Sequence, residues 1–218
     1  MNLREEKILW KKGYEFIIGL DEAGRGPLAG PVVAGAVSIA KDSVKKILKE
    51  FSGIKDSKQL SAKKREAFHK LIIKNKAIKW GIGIVSERII DRINIKNAAE
   101  LAMEKAVRNL ERKSRIKSGY LFIDGNRLKN AFLKSIKHKL VVKGDEKIFS
   151  CSLASVMAKV VRDDIMKQYH RKYPQYRFDK HKGYGTELHI NLLKKFLPSA
   201  IHRKSFVPVK NLLKFKKY

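Results

Sequence analysis

The sequence has little cysteine and no long apolar run. Cys151 is the single cysteine among 218 residues, so an internal disulfide is excluded, and no group of cysteines and histidines has zinc-site spacing. A reducing, cytoplasmic setting is therefore expected. No segment approaches the roughly 18 consecutive apolar residues of a membrane-spanning helix, and the N-terminal segment lacks the apolar core of a secretory signal. We expect no membrane association.

Acidic residues are also scarce. The chain has 50 Lys and Arg against 21 Asp and Glu, which gives a formal net charge of +29. A field of this size attracts polyanions, and nucleic acid is the usual one. A host proteome rich in lysine would raise the same count, so the charge indicates a class of partner and no reaction. Nothing indicates an obligate protein partner, and a monomer is expected.

The apolar patterns predict an α/β protein with early strands and later helices. The length suits one large domain, or one domain with a small appendage, and an apolar fraction of 44% is ordinary for a globular protein. The glycine-rich turn between the first two strands predicts an antiparallel pair. Strands are predicted at 15–20, 31–39, 79–85, 120–123 and 140–142, and helices from 61, over 97–110, over 149–170 and over 186–197.

Three carboxylates directly follow predicted strands. Asp21 and Glu22 come after the first strand, and Asp124 comes after the strand at 120–123. A charged group at the border of a core is costly unless it is paired or bound to a metal. These acids are therefore candidate metal ligands.

A fourth acid lies on the apolar stripe of a predicted helix. Asp163 follows Val156 by seven residues, nearly two turns, whereas Asp164 is rotated by about 100° from that face. Such an acid needs either a buried ion pair with Lys or Arg or a shared cation. Both alternatives stay open for Asp163 on the spacing alone.

Grouped carboxylates repel each other and hold protons unless a cation is present. Ligands that are all oxygen favour Mg²⁺ or Mn²⁺ over Zn²⁺. Two such ions about 4 Å apart can activate a water and stabilise the leaving oxygen in phosphodiester hydrolysis. The residues thus favour a metal-dependent nuclease, and a basic, non-catalytic nucleic-acid-binding protein is the alternative from another class.

A short glycine-rich loop, Gly24-Arg25-Gly26, follows the first acids. Glycines let a backbone approach a ligand closely, and an arginine adds a charged fork for phosphate. The loop is neither a Walker loop nor a dinucleotide fingerprint, since no G-K-[ST] follows and no third glycine opens a helix. A plain turn would explain the glycines equally well, although their position beside candidate metal ligands favours a functional role.

The segment DEAGRGPLAGPVVAGAV at 21–37 resembles the signature of type 2 ribonuclease H, the bacterial HII enzymes. Five further segments follow in the order of that family, and the similarity covers roughly residues 15 to 210. They are KDSKQLS at 55–61, FIDGN at 122–126, SCSLASVMAKVVRD at 150–163, HKGYGT at 181–186 and HRKSFVPV at 202–209.

The resemblance implies a ribonuclease H-like fold, a mixed β-sheet flanked by helices, at 1–185, and a small C-terminal helical extension with a basic tail at 186–218. It implies hydrolysis of the RNA strand of RNA/DNA hybrids and incision 5′ to single ribonucleotides in duplex DNA. By motif it assigns the metal to four acids and substrate binding to eight residues. The acids are Asp21, Glu22, Asp124 and Asp163, and the substrate-binding residues are Gly24, Arg25, Gly26, Tyr184, Lys55, Ser57, Lys58 and Lys143.

Within that assignment, the Gly24-Arg25-Gly26 loop recognises the ribose 2′-hydroxyl and Tyr184 stacks on the neighbouring deoxyribose. Tyr184 packed on the core is the alternative. Residues 151–153 depart from the small apolar residues usual in the family. The sister HIII type carries threonine in place of Arg25 and an added N-terminal domain, so it is disfavoured. Another nuclease of the same fold, such as a resolvase, is the third hypothesis.

Overall fold

The computed structural model describes residues 3–54 and 60–214. A five-stranded mixed sheet with the order β3-β2-β1-β4-β5 forms its centre. The strands are β1 (Ile17–Ala23), β2 (Val32–Ile39), β3 (Ile78–Val85), β4 (Tyr120–Asp124) and β5 (His138–Val141). Each lies within three residues of a predicted strand.

Ten α-helices and two short 3₁₀ helices (Lys41–Ser43 and Pro174–Tyr176) accompany the sheet in the described residues. Ser61 begins α3 as predicted, because its hydroxyl accepts a hydrogen bond from the Lys64 N–H at 3.3 Å. The helices are α1 (Arg4–Lys11), α2 (Val44–Glu50), α3 (Ala62–Lys74), α4 (Glu87–Ser114), α5 (Ala131–Ser135), α6 (Gly144–Lys147), α7 (Phe149–Lys172), α8 (Phe178–His181), α9 (Glu187–Phe196) and α10 (Val207–Lys214).

The pairing of the strands brings two of the predicted acids to one end of the sheet. Strand β1 is antiparallel to β2, as expected, and parallel to β4. In the parallel pair Leu20 lies opposite Ile123. Asp21 and Asp124 each follow one of these partners, so both emerge at the carboxyl ends of neighbouring strands.

Helices cover both faces of the sheet. Ile18 and Leu20 of β1 pack in the cluster that contains the buried face of α4, and the alternating residues of β1 face α7. The backbone of α7 lies very close to the sheet, since a Cβ added to Gly35 would come within 2.3 Å of the Ala154 carbonyl oxygen. Asp21 belongs to the face of β1 that α7 covers.

The C-terminal helices share a core with the rest of the chain. One apolar cluster joins Leu28, Ala29 and Met166 to Phe178 and Leu193. The boundary predicted between residues 185 and 186 stays a prediction, and apolar packing crosses it. None of the described helices is both long enough and apolar enough to span a membrane.

Candidate active site

Three aspartates meet at the ends of β1 and β4. Asp21, Asp124 and Asp145 each offer a carboxylate oxygen, and these oxygens all lie within 4.8 Å of one another. Asp21 is 4% exposed and Asp145 is fully buried. Asp145 lies on α6, whose first residue donates its N–H to Asp124 Oδ1 at 2.9 Å. This bond fixes the start of α6 against the end of β4.

Glu22 borders the three aspartates. Its Oε1 accepts a hydrogen bond from Arg25 Nη1 at 3.1 Å, whereas its buried Oε2 has no hydrogen-bond partner among the described residues. Burial raises the pKa of Glu22, the charge of Arg25 lowers it, and the charge of Asp124 raises it. Glu22 therefore has one oxygen still available to a ligand.

The cluster is electrostatically strained without a cation. Burial raises the pKa of Asp21 well above its usual range, and the negative charge of Glu22 raises it further. A hydrogen bond from Ser155 opposes this, and the charges of Asp124 and Asp145 add to it. Carboxylate groups of one sign at such distances, two of them buried, fit a hard divalent cation, which removes both the repulsion and the desolvation cost.

Asp163 is not part of this group. Its Oδ1 pairs with Lys159 Nζ at 2.7 Å, which is the ion-pair alternative left open by the spacing. The helical face was assigned correctly, but Asp163 lies eight residues, about 12 Å, along α7 from Ser155, which contacts Asp21. Asp163 as a metal ligand therefore stays a prediction, whereas Asp145 lies in the described group of aspartates and is a further candidate.

Asp145 was not among the predicted metal ligands, although it lies near the end of a predicted strand. It follows the predicted strand at 140–142 by three residues, as Asp21 and Asp124 follow theirs. Only a wider criterion, an acid within three residues of a predicted strand end, includes Asp145 with the other two aspartates.

The glycine-rich loop and Tyr184 lie beside the acids. They line one cleft of about 550 Å³ with Asp21, Glu22, Ala23, Asp124, Arg65, Ser155 and Lys159. Gly24 has a φ of +97°, a conformation that side chains rarely adopt. Arg25 has a 51% exposed side chain and Tyr184 is 40% exposed. Tyr184 thus faces the cleft instead of being buried in the core.

A chain of buried histidines holds the backbone at Tyr184. His189 Nδ1 lies 2.9 Å from the Tyr184 carbonyl oxygen, and His181 Nδ1 accepts a hydrogen bond from the Gly183 N–H. The Nε2 atoms of His189 and His202 are 3.1 Å apart. Burial lowers the pKa of His189 to about 4 and that of His202 to about 3. Both rings are therefore neutral at physiological pH.

The predicted phosphate contacts are only partly described. Lys55, Ser57 and Lys58 lie outside the described residues. Lys143 is exposed and pairs with Glu146 at 3.2 Å. Three polar cleft residues were absent from the predictions: Arg65, Ser155 and Lys159. Lys159 Nζ also lies 5.6 Å from the centre of the Tyr184 ring, so the cleft carries a positive charge close to the tyrosine.

A sequence model of the family described as Ribonuclease HII matches residues 18–209. The chain belongs to the ribonuclease HII family. It is 47% identical to the ribonuclease HII of Acholeplasma laidlawii, over 98% of either chain. It is 48% identical to that of Caldanaerobacter subterraneus subsp. tengcongensis, over 93% of this chain and 78% of the relative.

Solved structures have the same fold. The ribonuclease H2 of Pyrococcus horikoshii superimposes with a TM-score of 0.74 at 26% identity, covering 93% of this chain and 100% of that one. Bst-RNase HIII in complex with Mn²⁺ gives a TM-score of 0.72 at 18% identity, over 93% of this chain and 70% of that one. The ribonuclease H-like fold predicted from the sequence is confirmed.

Membership of the family confirms the predicted reaction. The protein is an endoribonuclease that hydrolyses the RNA strand of RNA/DNA hybrids and incises 5′ to single ribonucleotides in duplex DNA. Its chemistry depends on divalent metal. A non-catalytic binding protein and a resolvase are both excluded as the protein's class.

Proposed function

We propose that Asp21, Glu22, Asp124 and Asp145 hold Mg²⁺ or Mn²⁺ and form the cutting half of the cleft. The observation that carries the proposal is the convergence of three aspartate oxygens within 4.8 Å of one another. The buried Oε2 of Glu22, which has no hydrogen-bond partner among the described residues, supplies a fourth oxygen beside them. Ligands that are all carboxylate suit these two hard ions.

The bound ions would activate the attacking water and neutralise charge on the leaving oxygen. The chain's own part is to keep the four carboxylates ionised and in place. Gly144 does so by donating its N–H to Asp124 at 2.9 Å, and Ser155 does so through its hydrogen bond to Asp21. The manganese complex of Bst-RNase HIII supports the choice of ion.

The glycine-rich loop and Tyr184, which line the same cleft, would select the position of the cut. The 2′-hydroxyl distinguishes RNA from DNA at a single nucleotide. The exposed peptide groups of Gly24-Arg25-Gly26 can reach it, and the ring of Tyr184 offers a surface for the adjoining deoxyribose. Lys159 and Arg65, together with Lys143 and the undescribed Lys55, Ser57 and Lys58, would bind phosphates, which fixes position without specifying sequence.

The role of Asp163 in this proposal is to hold Lys159. Its pairing with Lys159 Nζ at 2.7 Å keeps the ammonium group at the edge of the cleft. We also propose that the enzyme acts as a monomer in the cytoplasm, as the sequence predicts.

A pair of substitutions tests the assignment of the acids. Asp145→Asn should reduce cleavage of a duplex with one ribonucleotide by roughly 10²-fold or more, because it removes a charged ligand and keeps the shape. Asp163→Asn is the matched control and should lose far less. Binding of the uncut duplex should persist in both. Equal activity of Asp145→Asn and the unsubstituted enzyme would reject the proposed ligand set.

A further inference from the structure

Two arginines are fully buried behind the glycine-rich loop. Arg162 of α7 and Arg203, which follows α9, are both 0% exposed. Arginine is almost never fully buried unless its donors are paired. Neither forms an ion pair within 4.0 Å among residues 3–54 and 60–214. Their partners are backbone carbonyl groups instead.

Arg203 bonds four carbonyl oxygens of the loop and its continuation. Nη2 donates to Gly24 at 2.6 Å and to Pro31 at 3.2 Å. Nη1 donates to Arg25 at 2.9 Å, and Nε donates to Gly30 at 3.0 Å. One rigid guanidinium therefore fixes both ends of the loop at once.

Arg162 holds only the far end of the same loop. Its Nε donates to the Pro31 carbonyl at 3.1 Å and its Nη2 donates to the Ala29 carbonyl at 3.2 Å. Within the described part of the chain it forms no hydrogen bond with the carbonyl groups of Gly24 or Arg25, although its side chain lies against Gly24. The two buried arginines thus differ in which peptide groups they orient.

The bonds of Arg203 determine where two N–H groups point. In a trans peptide the C=O and the N–H face opposite directions, and the described chain has no cis peptide. Fixing the carbonyls of Gly24 and Arg25 on the buried side turns the N–H groups of Arg25 and Gly26 to the exposed side. Neither N–H donates a hydrogen bond within the described residues, and both residues line the cleft.

The segment that carries Arg203 is itself tied to the loop. The Arg203 N–H donates to the Leu28 carbonyl at 2.8 Å, and the Gly30 N–H donates to the Ile201 carbonyl at 2.9 Å. Leu28 in turn donates its N–H to Gly183, the residue before Tyr184, at 2.8 Å. The C-terminal extension therefore supports both recognition elements of the cleft.

We propose that Arg203 is a positioning residue for ribose recognition, because its guanidinium aims the N–H groups of Arg25 and Gly26 at the 2′-hydroxyl. The inference rests on the proposed function of the loop. A lysine could replace the charge but not the fork, since an ammonium group cannot reach four carbonyls spread around a plane. Ribose selection should therefore depend on the guanidinium and not on the charge alone.

The test measures discrimination between two duplexes that differ by one 2′-hydroxyl. Each variant is placed in the cleavage-deficient Asp145→Asn background, and Kd is measured with Mn²⁺ for an all-DNA duplex and for the same duplex with one ribonucleotide. The ratio of interest is the Kd for the all-DNA duplex divided by the Kd for the duplex with one ribonucleotide. Arg203→Lys should lower this ratio about tenfold, the effect of about 1.4 kcal/mol. Arg162→Lys is the matched control, equally buried, and should change the ratio less.

Gly26 offers an independent pair of variants on the exposed side of the loop. A Cβ added at Gly26 meets nothing within 4 Å, so Gly26→Ala retains both the fold and the N–H. Gly26→Pro removes the N–H and should lower the ratio as Arg203→Lys does. In the double variant with Gly26→Pro, Arg203→Lys should add little, because the N–H that it orients is already absent.

The outcomes separate the two proposals. If the Asp145→Asn protein itself does not distinguish the two duplexes, the proposed function of the loop fails. If it does distinguish them and a folded Arg203→Lys keeps the ratio within about twofold, only the role of Arg203 is overturned. If Arg203→Lys does not fold, the Gly26 variants decide. Equal Kd ratios for Gly26→Pro and Gly26→Ala would then overturn the proposed role of Arg203.

Discussion

The two walls of the cleft bury charge in opposite ways. On the acidic wall, oxygens of the same sign from Asp21, Asp124 and Asp145 face one another within 4.8 Å. The glycine-rich loop forms what we call the basic wall, and Arg203, buried behind it, donates to four carbonyl oxygens of its own chain. In the proposed function a metal ion compensates the charge of the acidic wall, whereas backbone carbonyl groups compensate the charge of Arg203. The stability of the acidic wall should therefore respond to metal ions, and that of the basic wall to substitutions that change the packing around the loop.

The largest expected effect breaks the acidic wall. Asp21→Asn should lower the cleavage rate by roughly 10²–10³-fold, because it removes a carboxylate at the centre of the cluster. The same variant should raise the melting temperature of the metal-free protein by about 2–4 °C, the effect of about 1 kcal/mol in a chain of this size. A fall in the cleavage rate together with a rise in metal-free stability would identify Asp21 as an acid that serves a ligand. A loss of both activity and metal-free stability would show that Asp21 serves the fold and not a ligand.

Metal addition should act on the same wall without substitution. A cation bound only by the folded protein stabilises it by about 2.7 kcal/mol at 100 times its Kd. Thermal unfolding with increasing Mn²⁺ should show this rise in the unsubstituted protein. Asp163→Asn should retain the rise, and Asp145→Asn should lose most of it. A rise of equal size in all three proteins would place the ion elsewhere.

A smaller effect is expected where the basic wall supports the loop. A Cβ at Gly24 would lie 2.1 Å from Arg162 Nε, and the φ of +97° disfavours any side chain. Gly24→Ala should therefore lower the free energy of unfolding by about 1–3 kcal/mol and weaken ribose discrimination. Chemical denaturation against Gly26→Ala checks this, because Gly26 has open space. Equal stability of the two variants would contradict the close packing of Arg162 on the loop.

The histidines behind Tyr184 predict that the free energy of unfolding depends on pH, by an amount similar to the effect of Gly24→Ala. Burial lowers the pKa of His189 to about 4 and that of His202 to about 3, whereas the unfolded chain binds these protons near pH 6.5. Between pH 6.5 and 4 the unfolded state therefore holds more protons, so stability falls as the pH falls. Each histidine contributes up to about 1.4 kcal/mol per pH unit.

Urea unfolding at pH 6.5, 5 and 4 measures that slope. His202→Gln keeps a donor and an acceptor but does not titrate, so its slope should be shallower. Cleavage of the single-ribonucleotide duplex should also fall with the same protonation, because His189 holds the Tyr184 backbone. A slope that His202→Gln leaves unchanged would assign the acid sensitivity to other groups.

The sequence predicted those parts of the fold and site that depend on local patterns. Asp21 and Asp124 follow short apolar runs, and in the structure Asp21 lies near the carboxyl end of β1, which continues to Ala23, while Asp124 is the last residue of β4. The helical face of Asp163 was also predicted correctly. The position of Asp163 along α7, far from the end of the sheet, was not predicted. Helical periodicity specifies a direction around the helix axis, but it does not specify which residue meets a neighbouring element.

Other features depend on partners far apart in the chain. Arg203 contacts Gly24 across 179 positions, and no local pattern identifies such a pair. Helix α1 was missed since its buried residues are few, and one of them, Glu6, is an acid whose Oε1 accepts the Ser150 N–H at the start of α7. Long-range hydrogen bonds of buried charged groups are the information that periodicity does not contain.

The smallest expected effect concerns the binding of the duplex phosphates by lysine side chains of the cleft. Lys159 lines the cleft, so Lys159→Gln should lower the slope of log Kobs against log salt by about one for the uncut duplex. Lys113 is the matched control, because it covers the Trp80 ring at 3.9 Å and lies outside the residues that line the cleft. Lys113→Gln should leave the slope unchanged. Equal slopes for both variants would mean that the excess positive charge attracts the duplex non-specifically. The basic wall would then recognise the ribose without a direct contact between Lys159 and a phosphate.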